Sequence, residues 1–267
     1  MTTSEKKIID INCDMGEWEL DELGRAGSDY HSDAHSDLAL MPFISSCSIA
    51  CGGHVGDEHS MQTTVHNALT HGVRVGAHPA YPDKSHFGRR SLDLPLGDLS
   101  AMLYRQISTL REAAQREGTE LAFVKPHGAL YNDMVKHVGI ADAVIETIQR
   151  VDPSLPLMGL AGSDLDKRCE VKGLAFIAEA FADRRYSDNG ELTPRGVPGS
   201  VIETPKAATD QILSLIMHGS VTSITGKTIP LDADTLCVHS DTQGALEHVI
   251  AINELLRQHN IEIGVAP

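Results

Sequence analysis

No run in the sequence approaches the ~18 apolar residues that would span a membrane, and Met1 to Lys7 are polar, without the apolar core of a secretion signal. A cytoplasmic protein is therefore expected. The chain also lacks any block of lysine and arginine: 22 basic side chains stand against 37 acidic ones, for a formal net charge of -15. That charge repels nucleic acid and anionic membrane, which excludes both as partners. Cysteine is scarce and odd in number, five in all, with no Cys-x-x-Cys pair. This argues against a disulfide framework. Cys47 and Cys51 have a zinc-like gap, but no second pair follows at finger spacing, so a structural zinc is not expected either. Cys13, Cys51 and Cys237 fall in predicted strands or at their ends and read as small buried side chains. A Walker A phosphate loop is missing as well. The partial lookalike Gly226-Lys227-Thr228 has Val221 where the first glycine belongs, and a hairpin rather than a helix is predicted around it.

What is present is a repeated pattern. Seven short apolar runs read as strands: Lys7–Asp14, Ser48–Gly52, Val73–His78, Leu121–His127, Leu157–Ala161, Leu174–Glu179 and Thr235–His239. Amphipathic stretches separate most of them. Leu99, Leu103, Ile107, Leu110 and Ala114 recur at helical spacing, as do Ala141, Val144, Ile145 and Ile148, and Ala245, Val249, Ile252 and Leu256. Gly72 and Gly118 follow helical runs, where a left-handed cap residue is favoured. Such alternation implies a parallel sheet with right-handed crossovers. Polar groups follow nearly every strand. An open sheet gathers function at one switch point, whereas a closed ring collects all strand ends at one mouth. We therefore expect an α/β fold, one (β/α) barrel domain of about seven parallel strands over residues 1–267. The Gly/Pro-rich segment Ser187–Ser200 reads as a loop over the mouth, and Thr222–Leu231 as a hairpin.

The candidate chemistry lies at these strand ends. Lys125 and His127, in Val124-Lys125-Pro126-His127-Gly128, close the fourth strand. A lysine inside an apolar strand must be paired or used. It could pair with Asp14 or Glu179, or stabilise a developing oxyanion. His78 and His239 end two other strands. Asp14 and Glu17 suit a metal ligand, a general base or an ammonium partner, and a helix cap is the plainer alternative. Cys51-Gly52-Gly53-His54-Val55-Gly56-Asp57 lets backbone approach a ligand closely and adds His54 and Asp57. Arg89 and Arg90, and Arg184 beside Asp183 beyond the sixth strand, suit carboxylate or phosphate recognition, or surface ion pairs, and Asp241 follows His239 after the last strand.

Taken together, these motifs resemble the LamB/YcsF family. The carriers are INCDMGE (11–17), IACGGHVGD (49–57), GAHPAYPD (76–83), FGRR (87–90), VKPHGALYN (124–132), EAFADRRY (179–186) and CVHSD (237–241), in order along almost the whole chain. The resemblance implies a seven-stranded barrel similar to glycoside hydrolase/deacetylase folds. It also implies the activity of the A subunit of an ATP-dependent 5-oxoprolinase, opening the 5-oxoproline lactam to glutamate, with ATP as co-substrate and subunits B and C as partners. A homo-oligomer is compatible with it. The family pattern has a Gly-Phe-Gly-like stretch at Trp18-Glu19-Leu20, Asn at Ser48, Phe at Gly53, Ala at Val55, Pro at Glu58 and Gly at Ser240. These departures surround the expected site and bear on which lactam or amide it takes.

With this resemblance, Asp14, His78, Lys125 and His127 are the expected catalytic set. Glu17, His54, Asp57, Arg89, Arg90, Glu179, Asp183, Arg184, His239 and Asp241 are the expected substrate-binding set. Two rival readings accompany the lactamase. One is a metal-dependent amide or ester hydrolase with Asp14, His78 and His127 as ligands. The other is a non-catalytic subunit that binds a small acid.

Overall fold

The computed structural model describes residues 7–20, 26–27, 34–242 and 244–265. Seven parallel strands form a closed ring: β1 (Ile8–Met15), β2 (Ser46–Ala50), β3 (Arg74–His78), β4 (Phe123–Val124), β5 (Leu157–Leu160), β6 (Phe176–Phe181) and β7 (Thr235–Val238). Each pairs with the next in chain order, and β7 returns to β1 with Asp10 beside Thr235 and Cys13 beside Val238. A ring in chain order is what successive right-handed crossovers produce. A short strand, Glu262–Ile263, adds beside Ile8 and Ile9 at the start of β1.

Helices surround the ring: α1 (Ala34–Leu40), α2 (Glu58–Thr70), α3 (Leu96–Arg116), α4 (Gly128–Lys136), α5 (Val138–Val151), α6 (Leu165–Lys172), α7 (Pro205–His218) and α8 (Ala245–Gln258). The apolar positions expected at helical spacing are buried on α3, α5 and α8. Gly72 and Gly118 take positive φ, 69° and 84°, just past α2 and α3. Among the described residues no helix is long and apolar enough to cross a membrane. All five cysteines are free and buried.

Some boundaries differ from those expected. β2 runs two residues earlier, because Gly52 turns back to bond the Val55 carbonyl and leaves the ladder. β6 begins at Phe176 because the Leu174 N–H closes the end of α6 on the Cys169 carbonyl, after Gly173 in the left-handed region. The regular part of β4 is short, since Pro126 has no N–H to give a ladder. Its pairing with β3 nonetheless persists: the Lys125 and His127 N–H groups bond the carbonyls of Ala77 and Pro79, both at 2.8 Å. Thus the backbone stays extended to His127. The expected hairpin forms from Ser220–Thr222 and Thr228–Pro230, which puts Gly226 and Lys227 in its turn rather than before a helix.

Alternation along β1 explains why the ring interior is polar. Ile9, Ile11, Cys13 and Met15 join the apolar core. Asp10, Asn12 and Asp14 occupy the other face. Asp10 accepts hydroxyls from Ser45, Ser46 and Thr235, each at 2.6 Å. Asn12 Nδ2 donates to Thr235 Oγ1 at 2.9 Å. These layers support Asp14 at the mouth.

Candidate active site

A cavity of about 340 Å³ opens at the C-terminal end of the ring. Asp14, His78, Lys125, His127, Phe181 and His239 form its inner wall, from β1, β3, β4, β6 and β7 or the turns just after them. Arg89, Lys136, Arg184 and Arg195 are cations on the same lining. Leu192, Pro194 and Arg195 reach it from the segment expected to overhang the mouth.

Lys125 is buried at the floor. Its Nζ lies 2.7 Å from Asp14 Oδ1 and 2.7 Å from Glu179 Oε1, and donates to Asn12 Oδ1 at 3.0 Å. Three hydrogens thus face three oxygens, with the Cys237 sulfur 3.3 Å away. Burial would lower the ammonium pKa, but Asp14, Cys237 and Glu179 outweigh burial and raise it. Asp14 moves the other way: burial would raise it, and the charges of His78 and Lys125 hold it well below the usual carboxylate range. Both alternatives for Lys125 as an ion-pair partner therefore hold at once, and an oxyanion could reach its nitrogen only by displacing one oxygen.

Three histidines pack above this pair. The His54 and His127 rings stack at 3.7 Å, and His78 meets both edge-on. His78 Nδ1 donates to the Lys125 carbonyl at 2.7 Å, and His127 Nε2 donates to the Phe87 carbonyl at 2.9 Å. The second nitrogens of these rings, His78 Nε2 and His127 Nδ1, lie 2.9 Å apart. Asp14 Oδ2 is 3.4 Å from the first, and Glu17 Oε1 is 3.5 Å from the second. Glu17 also contacts His54 Nε2 at 2.9 Å. Burial and the charge of Asp14 push the Glu17 carboxyl well up, while burial and neighbouring imidazoles push His54 and His127 well down. Such crowding requires Gly88. Its φ is +61°, and a Cβ there would come within 2.8 Å of His54 Cβ.

Across the cavity, His239 Nδ1 donates to Asp183 Oδ1 at 2.8 Å. Asp183 also accepts the Thr242 hydroxyl at 2.7 Å. The His239 ring lies against Phe181. With Nδ1 held as the donor, Nε2 is left with a lone pair and can take a proton. Arg184 is largely buried. Its Nη2 donates to the Thr193 carbonyl at 2.6 Å, and desolvation lowers its pKa to about 10. Arg89 and Asp241 form a close ion pair, and Arg195 lies 3.7 Å from the same carboxylate.

Not every expected residue reaches the cavity. Glu17, His54, Glu179 and Asp183 are buried behind its wall as partners of residues that do. Asp57 caps α2, accepting the Ser60 N–H at 2.8 Å in a capping box. Arg90 is exposed and pairs with Asp83 at 3.2 Å, outside the lining. Sequence reading passed over Asn12, though the Asp10-Asn12-Asp14 alternation signals a polar inner face. It also passed over Asp37, which accepts the Gly16 N–H at 2.8 Å and the Trp18 indole N–H at 3.3 Å, steadying the turn after β1. Gln106 had no signal in its helical run. It brackets Ala80 by bonds to both the N–H and the carbonyl, and fills the space a side chain at Gly53 would need.

The LamB/YcsF family model matches residues 9–267. The chain belongs to the LamB/YcsF family. It is 40% identical over 260 residues to a protein of Acinetobacter baumannii named as the A subunit of 5-oxoprolinase, covering 96% of this chain and 97% of that one. A protein of the same name from Mycobacterium avium is 38% identical over 259 residues, with 96% and 97% covered. Among solved structures, a lactam utilization protein from Thermus thermophilus superposes with a TM-score of 0.86 at 35% identity, over 97% of this chain and 99% of that one. The motifs that hold Asp14, His78, Arg89, Lys125, His127, Phe181, Arg184 and His239 line one cavity, and IACGGHVGD lies behind it through His54, which stacks on His127.

Proposed function

We propose that this chain is the lactam-opening subunit of an ATP-dependent 5-oxoprolinase, converting 5-oxoproline to glutamate. The observation that carries this reading is the pairing of an oriented imidazole, His239 on Asp183, with a cationic rim in one cavity of small-molecule size. The names of the relatives point the same way.

A lactam is a stabilised amide, and water attacks it slowly without activation. ATP provides that activation by phosphorylating the lactam oxygen, which makes the ring carbon a better electrophile. We assign the phosphoryl donor site to partner subunits B and C, because the chain has no Walker A loop. Arg184 and Arg195 take the substrate carboxylate or the phosphoryl group. The lactam N–H proton leaves as the oxygen is phosphorylated. His239 Nε2 then removes a proton from the attacking water and delivers it to the ring nitrogen, while Asp183 holds the tautomer. The second proton of that water follows as the C–N bond breaks, and the acyl phosphate so formed is cleaved by a second water to glutamate and inorganic phosphate. Lys125 contributes by keeping Asp14 ionised at the floor.

The test is glutamate release, measured on the chain alone and on the chain mixed with its cognate partners. ATP-dependent release should appear only in the mixture. Robust ATP-dependent turnover by the lone chain would sink the division of labour. A second reading, an ATP-independent metal-assisted amide hydrolase, draws on the convergence of Asp14, Glu17, His78 and His127. Turnover without ATP would select it.

A further inference from the structure

The two nitrogens that face each other across 2.9 Å, His78 Nε2 and His127 Nδ1, pose a problem of hydrogens. Each ring already gives its other N–H to a backbone carbonyl, which can only accept. If both rings are neutral, two lone pairs therefore point at one another inside a buried site. Two carboxylate oxygens, Asp14 Oδ2 and Glu17 Oε1, approach the same point. All four ligand atoms lie within 4.8 Å of one another. With both rings neutral and both carboxyls ionised, four acceptors converge, and a positive charge between them would stabilise the arrangement.

We propose that Asp14, Glu17, His78 and His127 bind one first-row divalent cation of the zinc type. Metal–ligand bonds of about 2.0–2.2 Å at angles of about 90° to 110° separate neighbouring ligand atoms by about 2.9–3.5 Å. Three of the six separations are 2.9, 3.4 and 3.5 Å, and all six are within 4.8 Å. Two imidazoles select a transition cation over calcium or magnesium, which prefer an all-oxygen shell. The surroundings fit a metal centre too. A ligating histidine generally gives its other N–H to a carbonyl or carboxylate, and a ligating carboxylate is itself held by a neighbour. His78 is held by the Lys125 carbonyl, His127 by the Phe87 carbonyl, Glu17 by His54 and Asp14 by Lys125. Asp14, His78 and His127 line the cavity, so the cation would meet whatever fills it.

The proposal is independent of the lactam reading, because its test needs no substrate. The full chain, stripped with a chelator and returned to metal-free buffer, is titrated with Zn²⁺, Mn²⁺ and Co²⁺ by equilibrium dialysis, and the Co²⁺ form is read by visible absorption. One cation per chain is expected, with a Co²⁺ spectrum of mixed nitrogen and oxygen ligation. Asp14→Asn and His78→Gln should each weaken binding by more than the roughly 10–100-fold that loss of an outer partner costs. His239→Gln should leave it unchanged, which separates this site from the neighbouring group Asp14, Cys237 and His239. Should a ligand variant fail to fold, ¹⁵N spectra of the intact chain still decide: the His78 and His127 resonances must shift on adding one equivalent of Zn²⁺. Binding well below one equivalent overturns the proposal. So does equal affinity in the folded variants, or a proton found between His78 and His127 in a chain that takes up no metal.

Discussion

His239 and Asp183 form the pair with the clearest chemical consequence. The imidazole faces the cavity and the carboxylate sits behind it. His239→Gln, assayed in the reconstituted complex, should lower kcat by about 100-fold or more while KM changes little, as expected when a proton-transfer group is lost. A change confined to KM would make His239 a binding residue only. Asp183 also carries a pH signature. Burial would raise its carboxyl, but the charge and hydrogen bond of His239, with the Thr242 hydroxyl, hold it far below the ordinary range. A carboxyl depressed in the folded state stabilises the fold above its unfolded pKa of about 3.9, and the gain is lost as pH falls through the folded value. Urea unfolding should show a stability gap between the native chain and Asp183→Asn that holds at pH 5 and narrows below about pH 4. A gap that stays constant to pH 3 would contradict this account.

The turns between strand and helix set how closely the histidines can pack. Gly88 and Gly72 both have positive φ, +61° and +69°, yet only Gly88 is crowded, by His54 Cβ at 2.8 Å and His127 Cδ2 at 3.0 Å. Gly72 has nothing within 4 Å of a built Cβ. Gly72→Ala should therefore cost only the left-handed penalty, about 1 kcal/mol. Gly88→Ala adds overpacking of roughly 1–3 kcal/mol and should displace the imidazoles. Chemical denaturation of the two variants checks the order, and equal losses would show that the histidine stack yields easily. The same reasoning separates Asp57 from the substrate-binding residues. Its carboxylate is engaged in the cap of α2, where ligand binding was expected of it.

Across the ring, Lys125 ties strands together. It sits at the end of β4 and bonds Asn12 and Asp14 on β1 and Glu179 on β6, with Cys237 of β7 adjacent. Lys125→Met should destabilise the fold by about 3–5 kcal/mol, because two buried carboxylates lose their counter-charge. Adding Glu179→Met should recover part of that loss. An unchanged unfolding midpoint in Lys125→Met would show that water or protonation replaces the lysine at no cost.

The seven apolar runs, the helical spacing of Leu99 to Ala114 and the cap glycines are short-range signals, and with them the amino-acid sequence by itself determined the alternation of strand and helix, while the polar groups after nearly every strand pointed to a closed ring. Strand-end polarity likewise marked Asp14, His78, Lys125, His127 and His239, since a ring must bring its strand ends to one mouth. The partners of these residues were another matter. Lys125 and Cys237 are 112 residues apart, and His239 and Asp183 are 56 apart. No local spacing encodes such pairs. Ring closure and the twist of each strand decided that Asp14 and Glu179 hold Lys125 at once, that His78 Nε2 and His127 Nδ1 come within 2.9 Å of each other, and that Asp57 and Arg90 stay off the cavity wall. Side-chain direction on a strand is set by alternation, but distance across a barrel is set by the packing of all seven strands at once.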